Sequence, residues 1–111
     1  MAATIQVLGS TPGRILVIGD GDSTLATRLQ QQGHRVTELP ATDFHGQEEM
    51  ADVVAVLPDC PDPARVGAAA SACARCVWFQ ERPAPPGLAD LLAAAGVPVI
   101  EGRDLATEAR R

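Results

Sequence analysis

Five short strand-like segments, most of them apolar, alternate with amphipathic segments along this sequence, and the alternation predicts an α/β domain built on a parallel sheet. The apolar runs are rich in Val and Ile, which is typical of strands covered on both faces. The chain has 111 residues, the size of one domain, and 46% of them are hydrophobic, enough for one core. We therefore expect a single Rossmann-like, doubly wound domain with a mainly parallel five-stranded sheet, helices on both faces and a core within residues 14–105.

The first strand, helix and second strand are predicted to form a βαβ unit. Residues 14–18 predict a buried strand, and residues 19–24 predict a tight turn after it. The helix is marked by three apolar residues at helical spacing, namely Leu25, Ala26 and Leu29. Gly33 is expected to end this helix in the left-handed conformation, before a second strand at residues 35–39.

The rest of the chain continues the alternation of strands and helices. Three further strands are predicted, at residues 52–57, 76–79 and 97–100. A short helix is expected at residues 47–50, and longer helices are expected to begin at Pro63 and Leu88. Asp104 is expected to cap a short C-terminal helix. Asp62 is the expected N-cap before Pro63, and Gly96 is expected to end the helix at 88–95. Residues 5–8 predict a weak extra strand, either in a hairpin with the first strand or at a sheet edge.

Charge and composition exclude several classes of partner. The net charge is −5, with nine Arg, no Lys, two Phe, one Trp and no Tyr, which is a poor composition for binding nucleic acid. No apolar run is long enough to cross a membrane, and the first residues lack the pattern of a signal peptide. We therefore expect a cytoplasmic protein with neither a nucleic-acid nor a membrane partner.

The chain has three cysteines, Cys60, Cys73 and Cys76, of which Cys73 and Cys76 are predicted to be core residues. An odd number in a chain without a signal peptide argues against a disulfide framework. Cys73 and Cys76 form a Cys-x-x-Cys motif, but the first of them falls near the end of a predicted helix, where the helix dipole does not favour a thiolate. The sequence has no second Cys or His pair to complete a zinc site, so no metal is expected.

The ligand site of an open parallel sheet lies at the carboxyl ends of its strands, near the point where the strand order reverses. Four segments follow predicted strands here, at residues 19–24, 57–61, 80–82 and 101–103. We expect these segments to converge in space although they are far apart in the sequence.

The first of these loops comes closest to a nucleotide-binding fingerprint. Gly19 and Gly21 match the first two glycines of the Gly-x-Gly-x-x-Gly pattern, and Thr24 occupies the position of the third. The helix that follows would offer free N–H groups and the positive end of its dipole to a phosphate. The alternative is that the two glycines only make a short turn between strand and helix.

Two aspartates in the same loop oppose phosphate binding. Asp20 and Asp22 would face the phosphates, and two like charges about 5 Å apart repel by roughly 3 kcal/mol at an effective dielectric constant near 20. Their other role would be helix capping, with the side chain of Asp22 or Ser23 accepting hydrogen bonds from the free N–H groups.

No arrangement of nucleophile and base stands out in the sequence. Ser23 follows a strand, as in a nucleophile elbow, but the Gly-x-Ser-x-Gly motif is absent. An NAD site needs an acid at the end of the second strand; Glu38 is close, but that position falls nearer Pro40. We therefore expect a protein without catalytic activity.

Several motifs of the chain resemble those of the small stand-alone CoA-binding proteins. They are Asp-Val-Val-Ala-Val at residues 52–56, Val-Trp-Phe-Gln at 77–80, Ala-Ala-Gly-Val-Pro-Val-Ile at 94–100, Arg103, and Gly-His-Arg-Val at 33–36. The same family is similar to the CoA-binding domain of succinyl-CoA synthetase and of ADP-forming acyl-CoA synthetases. The resemblance covers about residues 14–105, and it implies a Rossmann-like fold that binds coenzyme A or a related nucleotide.

The resemblance also implies which residues would contact the ligand. They are the loop Gly19, Asp20, Gly21, Asp22, Ser23 and Thr24, together with Pro58, Gln80 and Arg103. The sequence departs from the family after the third strand, where Leu57-Pro58-Asp59 replaces the usual Phe-Arg-Arg and so removes two cations.

Two functional hypotheses follow. The first is a non-catalytic module that binds CoA or another nucleotide. The second is a degenerate Rossmann-like protein that has lost its ligand and binds a partner protein or a second copy of itself. The loss of cations and the extra segment at residues 4–12 motivate the second hypothesis.

Overall fold

The computed structural model describes residues 13–19, 24–47 and 50–105. Within these ranges, five strands alternate with three α-helices. The elements are β1 (Arg14–Ile18), α1 (Thr24–Gln31), β2 (Arg35–Leu39), β3 (Val53–Val56), α2 (Pro63–Ala70), β4 (Val77–Gln80), α3 (Leu88–Ala94) and β5 (Val99–Arg103). A single 3₁₀ turn, Ala41–Asp43, lies between β2 and β3. The three strands of the first half that the sequence predicted are thus present, two of them with the predicted bounds.

The five strands form one sheet in the order β2-β1-β3-β4-β5, and every neighbouring pair is parallel. The order reverses beside β1, because the chain goes first to β2 on one side and then to β3 on the other. This arrangement confirms the predicted Rossmann-like α/β fold. It also places the switch point, where such sheets bind ligands, between the carboxyl ends of β1 and β3.

Each face of the sheet is covered by its own apolar cluster, because side chains alternate along the strands. On one face, α2, α3 and the chain around Phe44 pack on Leu16 and Phe79. On the other face, α1 and Leu105 pack on Ile15 and Trp78. The four residues of β3 and the four of β4 are all buried. Coverage on both faces explains why these strands are continuous apolar runs rather than alternating ones.

The helix boundaries follow the predicted capping signals. Asp62 adopts the left-handed conformation, with φ 51°, and its Oδ1 accepts a hydrogen bond of 3.4 Å from the N–H of Arg65. Pro63 is the first residue of α2, where its missing N–H costs nothing. Gly33 and Gly96 follow α1 and α3 with φ of 96° and 81°, a conformation that favours glycine.

The predicted short helix at residues 47–50 is wrong in position. The helical turn lies at Ala41–Asp43, and Gln47 and Met50 are not helical, while residues 48 and 49 lie outside the described ranges. The turn forms earlier because Phe44 is fully buried beneath the sheet. The Arg65 guanidinium fixes it there by donating hydrogen bonds to the carbonyls of Ala41 and Phe44.

The last strand is shifted relative to its prediction. β5 runs from Val99 to Arg103 instead of residues 97–100. Val97 belongs to the turn that ends α3, because its N–H donates to the carbonyl of Leu92 at 2.8 Å. Pro98 has no N–H to donate to a sheet, so the strand begins after it. The predicted extra strand at residues 5–8, and the C-terminal helix beyond Leu105, lie outside the described residues.

Cys73 and Cys76 are buried, as predicted for core residues, and Cys60 is buried as well. Cys60 is 4% exposed, and Cys73 and Cys76 are each 1% exposed. They pack in the two apolar clusters, Cys60 and Cys73 on one face and Cys76 on the other. Within the described residues, none of the helices has the length and hydropathy needed to cross a membrane.

Candidate functional site

A cleft of about 270 Å³ opens at the carboxyl edge of the sheet, beside the switch point. It is formed by the start of α1 and by the loops that follow β3 and β4. Its lining residues are Thr24, Leu25, Leu57, Pro58, Asp59, Gln80 and Glu81. Three of the four segments that the sequence analysis expected to converge therefore lie around one cavity.

Gly19 lies behind this cleft, at the end of β1, and is required there by close packing. A Cβ atom on this residue would lie 2.7 Å from Oδ1 of Asp59 and 2.7 Å from Cδ1 of Leu57. The loop after β3 can approach this closely because Leu57 N–H donates to the carbonyl of Ile18 at 3.0 Å. The glycine thus lets the loop after β3 close against β1, which explains its presence without any ligand.

The start of α1 forms one wall of the cleft. Thr24 is exposed at the first position of the helix, and Leu25 is 4% exposed beneath it. The remaining residues of the predicted phosphate loop, which are Asp20, Gly21, Asp22 and Ser23, lie outside the described residues. Of the predicted loop, the structure therefore places only Gly19 and Thr24.

The loop after β3 forms the opposite wall, and Arg82 holds it in shape. Nη1 of Arg82 donates to the carbonyls of Leu57, Pro58 and Cys60, at 3.2, 3.0 and 3.4 Å. Leu57 is 6% exposed and gives the cleft an apolar surface. Pro58 and Asp59 are exposed at its mouth. The cation that organises this wall thus comes from the loop after β4, and it binds backbone carbonyls.

Gln80 lies at the end of β4 and is the one buried polar residue of the core, at 4% exposure among the described residues. Its Nε2 donates to Oδ1 of Asp104 at 2.7 Å, and its Oε1 accepts from the N–H of Leu105 at 2.9 Å. Arg28 completes the network through a 3.0 Å ion pair with Oδ2 of Asp104. Both polar atoms of Gln80 therefore join β4 to the segment after β5, while the side chain contributes to the cleft wall.

Glu81 follows Gln80 in the left-handed conformation, with φ 53°. Its N–H donates to the carbonyl of Arg103 at 3.1 Å, and its side chain is exposed at the cleft mouth. Non-glycine residues adopt this conformation at a cost of order 1–3 kcal/mol, and they cluster at functional sites.

Arg103 lies beside this cleft, as the strand partner of Gln80. It is the exposed last residue of β5, and its carbonyl accepts hydrogen bonds from Nε1 of Trp78 at 2.8 Å and from Glu81. Its side chain is not among the described residues that line the cavity. The structure thus brings together Thr24, Pro58 and Gln80 in the cleft lining, and it places the backbone of Arg103 next to Gln80 and Glu81.

The described lining of the cleft is acidic. Asp59 and Glu81 supply two carboxylates, and no Arg or His is among the described lining residues. The one hydroxyl of the lining belongs to Thr24. No group of three side chains that could hold a metal ion occurs within the described ranges. Among the described residues, the side chains available to a ligand are thus two carboxylates, one hydroxyl, one amide and aliphatic surface.

Four of the lining residues were not among the predicted ligand contacts: Leu25, Leu57, Asp59 and Glu81. The signal that locates them is topological, because three of the four belong to segments that follow β3 and β4. The sequence analysis had selected those segments, but the family motif pointed to other side chains within them.

Comparison with protein-family models and with curated proteins gives no match for this chain. What is established is the class that the fold defines, a Rossmann-like parallel α/β domain.

Proposed function

We propose that this protein is a non-catalytic binding module whose ligand is coenzyme A or a related nucleotide, held at the switch-point cleft. The observation that carries the proposal is the convergence of the segments after β1, β3 and β4 on one cavity. Thr24, Pro58 and Gln80 belong both to that cavity and to the residues implied by the family resemblance.

The size of the cleft limits how much of such a ligand it can enclose. Ligand pockets span about 300–1,000 Å³. At about 270 Å³, this cleft falls just below that range. It can therefore enclose one part of a molecule as large as CoA, and the remainder would lie across the exposed carboxyl edge of the sheet.

A thermal-shift and calorimetric titration with CoA, acetyl-CoA, ATP and NAD tests the proposal. We expect CoA to raise the melting temperature at millimolar concentration, since a ligand that binds only the folded state stabilises it. Thr24→Trp should fill the cleft and abolish the effect. Gln30→Trp places the same side chain at an exposed site on the same helix, outside the cleft lining, and should retain it. Absence of any shift with all four compounds would contradict the proposal.

A second candidate function is supported by the edge of the sheet. Within the described residues, β2 pairs with β1 alone. The N–H of Arg35 and the carbonyl of Leu39 bond to the chain of β1, so the alternate residues Val36 and Glu38 direct their peptide groups outward. An open edge of this kind can pair with a strand of a partner or of a second copy.

Light scattering tests this second candidate. Glu38→Pro removes one outward N–H without removing a bond to β1, and proline is tolerated at such edge positions. If the edge mediates self-association, the wild-type protein should scatter as a dimer and the variant as a monomer. A monomeric wild-type protein that binds CoA would contradict this candidate and favour the first.

A further inference from the structure

We infer that the part of the ligand enclosed by the cleft is uncharged or cationic, and that any phosphate groups stay outside it. The inference rests on the proposed function, and it names which chemical portion of a nucleotide or CoA molecule the site selects. It comes from the charges and the burial of the cleft lining.

The lining repels phosphate. Asp59 follows β3 and Glu81 follows β4, and both residues line the cleft and are exposed. A phosphate in the cleft would face both carboxylates, and no Arg or His among the described lining residues would offset them. Repulsion between exposed charges is weakened by solvent but persists at contact distances.

The guanidinium of Arg82 is hydrogen-bonded to the loop after β3. Nη1 of Arg82 donates to the carbonyls of Leu57, Pro58 and Cys60, which gives this group three acceptors in the loop itself. Turning Arg82 toward a phosphate would leave those carbonyls without this donor and would release the loop that shapes the cleft. Its positive charge therefore maintains the wall of the site, and the lining stays acidic.

The interior of the cleft suits an apolar or neutral polar group. Leu25 and Leu57 are almost fully buried and present aliphatic surface, and Thr24 adds a hydroxyl that can donate or accept. Such a lining matches an adenine base or an uncharged pantetheine arm. An amine would gain further from Asp59 and Glu81.

Matched neutral and charged probes test the inference. Pantetheine and CoA share one arm but differ in phosphates, and adenosine and ATP differ in the same way. We expect each neutral probe to bind at least as tightly as its charged parent. Raising the salt concentration should tighten CoA binding, because salt screens the repulsion, and should leave pantetheine binding unchanged.

A charge-neutralised cleft provides the second arm of the experiment. The double variant Asp59→Asn/Glu81→Gln should tighten CoA binding by about tenfold and change pantetheine binding by less than about twofold. The control Asp43→Asn/Asp90→Asn removes the same total charge at exposed positions outside the lining, and it should leave CoA binding as in the wild type.

The outcomes separate the inference from the proposed function. CoA that binds more tightly than pantetheine and adenosine, with no gain in the cleft variant, overturns the inference and leaves the binding function standing. No binding of any of the four probes overturns both. Tighter CoA binding in the cleft variant alone, with the control unchanged, supports the inference.

Discussion

Gly19 shows how a residue from an apparent ligand motif can be required by packing. Because a Cβ atom would lie 2.7 Å from Asp59 and from Leu57, Gly19→Ala must push the loop after β3 away from β1. We expect a loss of about 1–3 kcal/mol in the free energy of unfolding, the usual cost of overpacking. Denaturant unfolding measures it.

A double-mutant cycle isolates the cause of that loss. Leu57→Ala removes the Cδ1 atom that the new methyl group meets, so Gly19→Ala should cost less in that background than in the wild type. Equal costs in the two backgrounds would show that contact with Cδ1 of Leu57 is not what excludes a side chain here, because Cβ of Leu57, 2.9 Å from the new methyl group, is present in both.

His34 makes stability depend on pH. Burial lowers the pKa of His34 below its usual value of 6.5, although the carboxylate of Asp52 acts in the opposite direction. Its Nδ1 accepts a 3.0 Å hydrogen bond from the N–H of Gly13, which requires that nitrogen to be unprotonated. The stabilising contribution of His34 is therefore fully present above pH 6.5, and it is lost as the pH falls through the lower pKa that His34 has in the folded state.

We expect the free energy of unfolding to fall between about pH 7 and pH 5 as His34 binds a proton more readily in the unfolded chain. His34→Asn keeps a side-chain acceptor without a titrating group, so its stability should change less over the same interval. Identical pH profiles for the two proteins would rule out His34 as the source.

The helix α2 depends on the conformation of the residue before it. Asp62 combines φ 51° with a side chain that caps the N–H of Arg65. Asp62→Ala loses the cap and places an alanine in the left-handed region, so we expect a cost of about 1–2 kcal/mol. Asp62→Asn keeps an acceptor and tolerates that conformation, and it should stay within about 0.5 kcal/mol of the wild type. Urea unfolding compares them, and equal losses in the two variants would contradict the capping role.

The accuracy of sequence-based prediction differed between elements for physical reasons. β1 and β2 were predicted at their observed bounds because turn residues such as Gly19 and Gly33 delimit them. The turn at 41–43 was missed because its position depends on long-range contacts, the burial of Phe44 and the hydrogen bonds of Arg65. A local pattern does not contain that information.

The candidate site was predicted by topology better than by motif. The rule that ligands bind at carboxyl ends selected the segments after β3 and β4, which do line the cleft. The family motif added Arg103 to the predicted ligand contacts. Arg103 is the last residue of β5, because that strand extends beyond its predicted end at residue 100. The motif could not reveal that Arg82 reaches across to the loop after β3, since that contact joins residues about 25 positions apart.

At the scale of the whole molecule, one sheet is shared by the two apolar clusters, so we expect them to unfold together. Trp78, the single tryptophan, is fully buried in one cluster and its Nε1 donates to the carbonyl of Arg103. Its neighbour in β4, Phe79, belongs to the other cluster. Because β4 contributes side chains to both clusters, unfolding of one cluster exposes a strand on which the other cluster packs.

Tryptophan fluorescence and far-ultraviolet circular dichroism should thus report the same urea midpoint, as two-state unfolding requires. The fluorescence maximum should move to longer wavelength in that single transition. Two separate midpoints would show that the faces of the sheet unfold independently.

Most of the charge of the cleft lies on residues that are outside the apolar core of the fold. Asp59 and Glu81 are exposed on loops, and neither belongs to an apolar cluster. Natural selection or protein engineering can therefore change the electrical character of this site while the scaffold remains intact. A few loop substitutions can therefore give such a chain a ligand, remove it or exchange it. During evolution, its binding preference can change much faster than its fold.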